Sequence, residues 1–365
     1  MCMQEYIESN LYEQLFESAE NFQPPFLSTD GAENFYARLG GPVVLDSPSC
    51  SLGLNRVWST EDAFVIVYSL VDDLYKQLFG SQAFFRNSPN SEPKFTDAEV
   101  LTIALVAELA AYQSQRAWFN HVRKNYLHLF PRLCDRTRYG RRIRRLRPAM
   151  ERIRRHLLFL MNVDLSQIRV VDSFPLSICH MRRVNSSSQP FEYFATVGYC
   201  AAKKEYFYGF RVHLITDLRG VPVGYLLTSG HLHDTKGLVF LLEEWSRLEE
   251  FIEKMIQILG DKGYVGEEYA RRLKEEFGVE ILAMRKQYKK DEPVSLYNEI
   301  VGKARKIIET TISVLTGKMN ANSTNARSIG GLLTNLAAKM TAFNLANYLN
   351  QLMGEPVLRV SSIIN

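Results

Sequence analysis

The feature that most constrains the fold is a change of hydrophobic period near residue 165. Upstream, apolar residues recur at helical spacing. Over 61–79 they are Phe64, Val67, Leu70, Val71, Leu74 and Leu78, one face of an α-helix. Thr96-Asp97-Ala98-Glu99 reads as a capping box opening an apolar helix to about residue 110. A third helix is predicted over 114–126. Ile143, Leu146, Met150, Ile153, Leu157 and Leu160 step by three or four and make a single apolar stripe. Pro148 is predicted to kink that helix or to begin a second one.

Downstream the pattern becomes that of strands alternating with helices. A short strand over 168–171 is predicted to end at Asp172, and a longer one spans 206–217. After a turn at Arg219-Gly220, a return strand spans 221–228. Asp234 opens a helix to about residue 250. A buried strand over 255–259 ends in Gly260-Asp261. Helix 265–277, strand 279–284 and helix 297–315 follow. The order β-β-β-α-β-α-β-α argues for an α/β fold, a mixed sheet with helices on its faces. The apolar run 329–352 is interrupted by Asn335, Lys339, Asn344 and Asn347, so it reads as a buried helix and not a membrane span. The expected organisation is an acidic N-terminal extension over 1–55, without assigned role, a helical region over 56–165, an α/β domain over 166–353 and a tail over 354–365.

Charge is distributed as unevenly as hydrophobicity. The formal net charge is only +4, yet residues 1–60 carry eight acids against two bases, and residues 121–160 carry thirteen Arg or Lys against two acids. Arg141, Arg142, Arg144, Arg145, Arg147, Arg152, Arg154 and Arg155 all lie off the apolar stripe. Charged helix faces are usually just solvated. Eight arginines with one nearby acid, Glu151, cannot be balanced locally, and this favours a phosphate backbone as partner. The five cysteines are dispersed and form no CxxC pair, so neither a zinc site nor a disulfide framework is indicated. The first residues lack a basic and then apolar leader pattern. A cytoplasmic, nucleoid-associated protein without membrane partners is expected.

Asp172 follows Val170-Val171, and Asp261 follows Ile258-Leu259-Gly260. Functional side chains of open α/β sheets gather at strand ends. If the two strands are neighbours, the carboxylates repel, and a divalent cation relieves the conflict. An all-oxygen site suits Mg²⁺ or Mn²⁺. Either Asp taken alone reads equally well as a loop cap. Glu309 lies four residues after Arg305 on a helix, the spacing of an ordinary ion pair.

Together these residues carry a resemblance. The chain resembles bacterial insertion-sequence transposases of the DDE class, closest to the insertion-sequence nine-eight-two family, over roughly residues 60–350. The likeness rests on Val171-Asp172-Ser173-Phe174-Pro175-Leu176 and on the run from Gly198 to Phe210. It continues in Gly260-Asp261-Lys262-Gly263-Tyr264, Ile308-Glu309-Thr310 and Ala326-Arg327-Ser328. Upstream, Val71-Asp72-Asp73-Leu74-Tyr75, Phe130-Pro131-Arg132-Leu133 and the stretch from Arg141 to Leu146 look similar too. The resemblance implies an RNase H-like catalytic fold after a helical DNA-binding region. It also implies catalytic and metal-binding roles for Asp172, Asp261 and Glu309, and two Mg²⁺ or Mn²⁺ ions. The implied reaction is cleavage at the element's terminal inverted repeats and joining to target DNA, by at least a homodimer. A tyrosine–arginine–glutamate–lysine signature of related groups is only half present: Arg305 and Glu309 fit, whereas Gly302 and Thr316 stand where Tyr and Lys would, and Lys318 comes two residues late. A non-catalytic DNA-binding relative and a nuclease that never joins DNA are the rival readings.

The remaining candidates are weighed on their own chemistry. His231-Leu232-His233-Asp234 could bind zinc, but Asp234 precedes a helical run and reads first as its N-cap, with a supporting carboxylate as the lesser alternative. Lys203, Lys204 and Lys262 are candidates for DNA phosphates, as are Arg141, Arg142, Arg144, Arg145, Arg152, Arg155 and Arg305. Tyr206, Phe207, Tyr208 and Phe210 read as strand packing rather than base-stacking groups.

Overall fold

The structure is a computed structural model, and it describes residues 58–80, 93–163, 168–184, 191, 193–201, 203–247, 256–283 and 296–359; at 246–247 and 296–300 only the backbone is described. Within it, Val57–Asn365 form one compact unit. The expected extension over 1–55, the end of the helix expected to reach residue 250 and the last residues of the tail lie outside the described residues.

Five helices come first: α1 (Thr60–Phe79), α2 (Asp97–Leu109), α3 (Gln115–Asn125), α4 (Arg136–Arg145) and α5 (Arg147–Leu160). Their starts follow from side chains that satisfy the free N–H groups of the first turn. Ser59 and Thr96 form reciprocal capping boxes with Asp62 and Glu99, and Ser114 and Asp135 cap α3 and α4. The arginine-rich stretch is two helices. Pro148, in the first turn of α5, needs no N–H partner there, so it begins a helix rather than kinking one. α2 is buried almost all round, as its unbroken apolar sequence requires.

The second half forms a six-stranded mixed sheet: β1 (Ile168–Cys179), β2 (Thr196–Cys200), β3 (Glu205–Thr216), β4 (Pro222–Ser229), β5 (Ile256–Gly260) and β6 (Val279–Ala283). The order is β2-β3-β1-β5-β6, with β4 also on β3. β1, β2, β3 and β4 pair antiparallel, whereas β5 runs parallel to β1, and β6 parallel to β5. α6 (Asp234–Arg247), α7 (Glu267–Phe277), α8 (Leu296–Gly317) and α9 (Ile329–Leu352) flank it. This is the expected mixed sheet with helices on its faces.

Two strand expectations need correction. β1 does not stop at Asp172 but continues to Cys179 through Pro175. A proline is tolerated in a strand only where its missing N–H falls off the ladder. The Ser177 N–H, two residues on and pointing the same way, leaves β3 for the Asn322 carbonyl at 2.9 Å. Pro175 therefore turns its nitrogen to an edge that β5, paired only as far as Val170, has already left. The second correction is β2, which no expectation included. Thr196-Val197-Gly198-Tyr199-Cys200 is held on β3 by its ladder, with Tyr199 opposite Tyr206.

α9 ties the halves together. It packs on α5, α2 and α4 and on β4. Asn344 Nδ2 donates to the Pro222 carbonyl at 2.9 Å, and Lys339 Nζ reaches Glu108 at 2.5 Å. A second tie runs through Arg154, which is buried and not on an open arginine face. It donates to Glu151 at 2.8 Å and to the Val223 carbonyl at 2.9 Å, while the Tyr225 hydroxyl donates to Glu151. Burial pushes the Glu151 carboxyl up, but the Arg154 charge and the Tyr225 hydroxyl outweigh it and hold it below the usual range.

Removing one partner of such a pair leaves the other buried and uncompensated. Arg154→Met should therefore destabilise the protein by about 3–5 kcal/mol, measured by urea unfolding. A loss below about 1 kcal/mol would mean the pair is effectively solvent-screened.

Candidate functional site

The two strand-end aspartates meet because of register. Val170 of β1 lies opposite Leu259 of the parallel β5. Two residues further along each chain stand Asp172 and Asp261, where β5 ends and β1 runs on. Asp172 Oδ1 accepts from the Ser173 N–H at 2.7 Å. Asp261 caps a 3₁₀ turn, Lys262–Tyr264, and its Oδ1 accepts from the Gly263 N–H at 2.7 Å. Gly260-Asp261-Lys262-Gly263-Tyr264 thus has a local cause: the turn that ends β5 needs an acceptor at its start.

The two acids also act on each other electrically. Burial pushes Asp172 up to about 7; the Ser173 N–H opposes the shift, the charge of Asp261 adds to it, Arg305 lowers it and Asp234 raises it again. At neutral pH about half of such carboxyls hold a proton. The main cause is burial, and the conflict anticipated from the sequence, a second acid on the neighbouring strand, adds to it.

Glu309 is half exposed on α8 and paired with Arg305 at 3.0 Å. Among the described residues, no three of His, Cys, Asp and Glu are arranged to hold a metal ion. Asp172 and Asp261 nonetheless fit a hard divalent cation. Each has one carboxylate oxygen on a backbone N–H and the other without a hydrogen bond among the described residues. All the donors are oxygen, and the raised proton affinity of Asp172 marks a missing counter-charge.

The His-x-His-Asp segment does not converge as a zinc site. His231 Nδ1 and Thr196 Oγ1 are 2.9 Å apart, and His233 Nδ1 and Thr235 Oγ1 are 2.8 Å apart. Nor is Asp234 the N-cap. The His233 carbonyl accepts the first helical bond, from Gly237 at 3.1 Å, so Asp234 is the first residue inside α6. Its carboxylate is occupied instead by Ser173 Oγ at 2.6 Å and by Arg211 Nη1 at 3.4 Å, and His213 Nδ1 lies 3.8 Å away. His213 is fully buried; burial lowers its pKa to about 4, with Asp234 opposing the shift and Arg211 adding to it. A Cβ at Gly237 would come within 2.1 Å of its ring, so α6 can lie this close to β3 only through a glycine. Sequence reasoning underweighted Asp234; its signal was the acid at the head of the helix after β4.

The basic candidates divide by location. Arg141, Arg144 and Arg145 are exposed on α4. Arg142 turns inward, donating to Asp97 at 2.5 Å and to the Phe95 carbonyl at 2.5 Å. Arg152 and Arg155 are partly buried on α5, and Arg152 lies over the Phe79 ring at 5.8 Å. Lys203, Lys204 and Lys262 are exposed. Lys203 lies 3.9 Å from Glu205. Phe207, Tyr208 and Phe210 are buried as expected of strand packing, but Tyr206 is 65% exposed. Among the described residues no helix is long and apolar enough to cross a membrane.

Comparison with known proteins bears on this region. Residues 162–329 match a family model described as a transposase DDE domain. The matched span opens just before β1 and closes at the head of α9, so it contains Asp172, Asp261 and Glu309. Over this span, just under half of the chain, the protein is similar to transposase DDE domains. No curated protein sequence matches significantly. One solved structure, a piggyBac transposase synaptic complex with hairpin DNA, aligns over 85% of this chain and 79% of that chain, at 12% identity and a TM-score of 0.41.

The raised Asp172 pKa carries a stability consequence. Unfolded, the group ionises near 3.8, while folded it keeps its proton to about 7. The folded state then binds more protons, and stability is lost as pH rises across that window. Without divalent cations, Asp172→Asn should raise the melting temperature at pH 8, by a stabilisation on the order of a few kcal/mol, and change it little at pH 4. An equal effect at both pH values would show that Asp172 ionises normally.

Proposed function

We propose that the protein is a metal-dependent DDE transposase of an insertion sequence, acting on the terminal inverted repeats of its own element and on target DNA. The observation that carries this reading is the placement of Asp172 and Asp261 each two residues past the last pair of the parallel strands β1 and β5, inside the matched span. Asp172, Asp261 and Glu309 are proposed as the catalytic acids that hold two Mg²⁺ or Mn²⁺ ions. In support of Glu309, α8 packs against both β1 and β5. The Arg305 guanidinium one turn away is also near enough to act on Asp172. Bound divalent cations supply Lewis-acid stabilisation of the scissile phosphate and lower the pKa of water.

The chain's own part is to place charge. Asp172 and Asp261, fixed by adjacent backbone N–H groups, present acceptors at one point. Arg141, Arg144 and Arg145, with Arg152 and Arg155 on the next helix, are proposed to grip phosphates. Lys203, Lys204 and Lys262 are proposed to do the same nearer the acids. Arg142 is left out, because its guanidinium is already held by Asp97 and Phe95. Two DNA ends require two active sites, so the working form is proposed to be at least a homodimer.

Incubating the protein with labelled DNA ends of its element, Mg²⁺ and a target plasmid tests this. Joined product is expected. Cleavage without joining would favour a nuclease, and binding without cleavage in Mg²⁺ or Mn²⁺ would favour a non-catalytic DNA-binding protein. Asp261→Asn should abolish cleavage and spare binding, and Glu309→Gln should do likewise. Retained cleavage in either variant would remove that residue from the catalytic set. Replacing Arg144 and Arg145 together by Ala should reduce the slope of log affinity against log salt by about 1–2; an unchanged slope would place the phosphate contacts elsewhere.

A further inference from the structure

The surroundings of Asp234 are not explained by the two-aspartate site. Arg211 Nε, His213 Nδ1, Tyr264 Oη and Tyr269 Oη are among the buried polar side-chain atoms of the described residues that have no hydrogen-bond partner. Two of these side chains lie beside one carboxylate, that of Asp234. Arg211 and His213 lie within 3.4 and 3.8 Å of Asp234 Oδ1. The Asp234 charge reaches the hydroxyls of both Tyr264 and Tyr269. Tyr264 and His213 are almost wholly buried. Native interiors leave few such groups, and each calls for a cause.

The register shows on which side of the sheet this happens. Ser173 lies directly opposite His213, and Pro175 opposite Arg211. Alternate residues of a strand face opposite sides. Ser173, Arg211 and His213 therefore share one face, the one covered by α6 through Gly237, and Asp172 projects from the other. Asp234 reaches the first face from α6. It contacts the residue that follows Asp172, and the helix that carries it packs on the Lys262–Tyr264 turn that Asp261 begins. α6 thus spans from the end of β5 to the point on β1 where the acid projects. Arg211 extends the connection, donating to the Tyr199 carbonyl of β2 at 2.9 Å and to Ser173 Oγ at 3.1 Å.

We infer that Asp234 is a positioning residue. Its carboxylate, holding Ser173 and Arg211 on the back of β1, fixes where the Asp172 carboxylate stands relative to Asp261. It does not bind the cation, since it lies on the opposite face. It determines how well two acids on separate strands can share one cation. Outer partners of metal ligands commonly change metal affinity by about 10–100-fold when lost. The inference rests on the proposal that Asp172 and Asp261 hold a divalent cation.

The test is Mn²⁺ binding to the full-length protein, followed by electron paramagnetic resonance without DNA. Asp234→Ala should weaken Mn²⁺ binding about 10-fold or more, with far-UV circular dichroism unchanged. Asp234→Asn keeps an acceptor for Ser173 and Arg211, so it should recover most of the affinity. A purely structural role would lower the melting temperature without this pattern. Ser173→Ala removes only one bond and should weaken binding in the same direction by less; it carries the test if the alanine variant does not fold. Mn²⁺ affinities within twofold of the parent in both Asp234→Ala and Ser173→Ala would overturn the inference and leave the two-aspartate site standing. A parent protein that binds no Mn²⁺ would overturn the metal reading itself, and this inference with it.

Discussion

The parallel pairing of β1 with β5 is the constraint on which the rest depends. Only three residue pairs make it, ending at Val170 and Leu259. A slip of one residue would turn every side chain of one strand to its other face and separate Asp172 from Asp261. The register is guarded by burial, since Val170, Val171, Ile258 and Leu259 are all core residues. The same burial raises the proton affinity of Asp172. The packing that aligns the acids therefore also creates their electrostatic conflict, and a cation-binding role makes that conflict useful.

The helical half serves the sheet as well as any DNA. Arg154 and Asn344 both reach backbone carbonyls of β4, one from α5 and the other from α9. The arginine block is consequently not one surface. Arg142 and Arg154 work inside the protein as donors to buried acceptors, whereas Arg141, Arg144 and Arg145 remain outside. Guanidinium suits both tasks, because its fixed fork of donors satisfies carboxylates and carbonyls as readily as phosphates.

Much of this was legible in the sequence. The capping box at Thr96, the helix after Pro148 and the burial of 329–352 have local causes, namely hydrogen-bonding residues at helix starts and the spacing of apolar side chains. Asp172 and Asp261 could be singled out because acids directly after apolar strands are unusual. The misses have physical reasons too. β2 is short and carries exposed Val197 and Tyr199, so only its ladder with β3 makes it a strand. Asp234 looked like a helix cap because composition cannot tell a cap from the first helical residue. The expected end of β1 at Asp172 was too early, because the open edge that tolerates Pro175 is a property of the sheet.

The sequence by itself determined the kinds of element, their order and the acids available at strand ends, since these depend on periodicity and on neighbours a few residues away. The tertiary structure alone decided which of those acids share a site. It joined Asp172 to Asp261 through register and brought Asp234 beneath them from α6. It laid α8, with Glu309 paired to Arg305, against β1 and β5. Distance between charges decides pKa and pairing, and residues 89 positions apart in the chain, such as Asp172 and Asp261, acquire a distance only when the sheet closes.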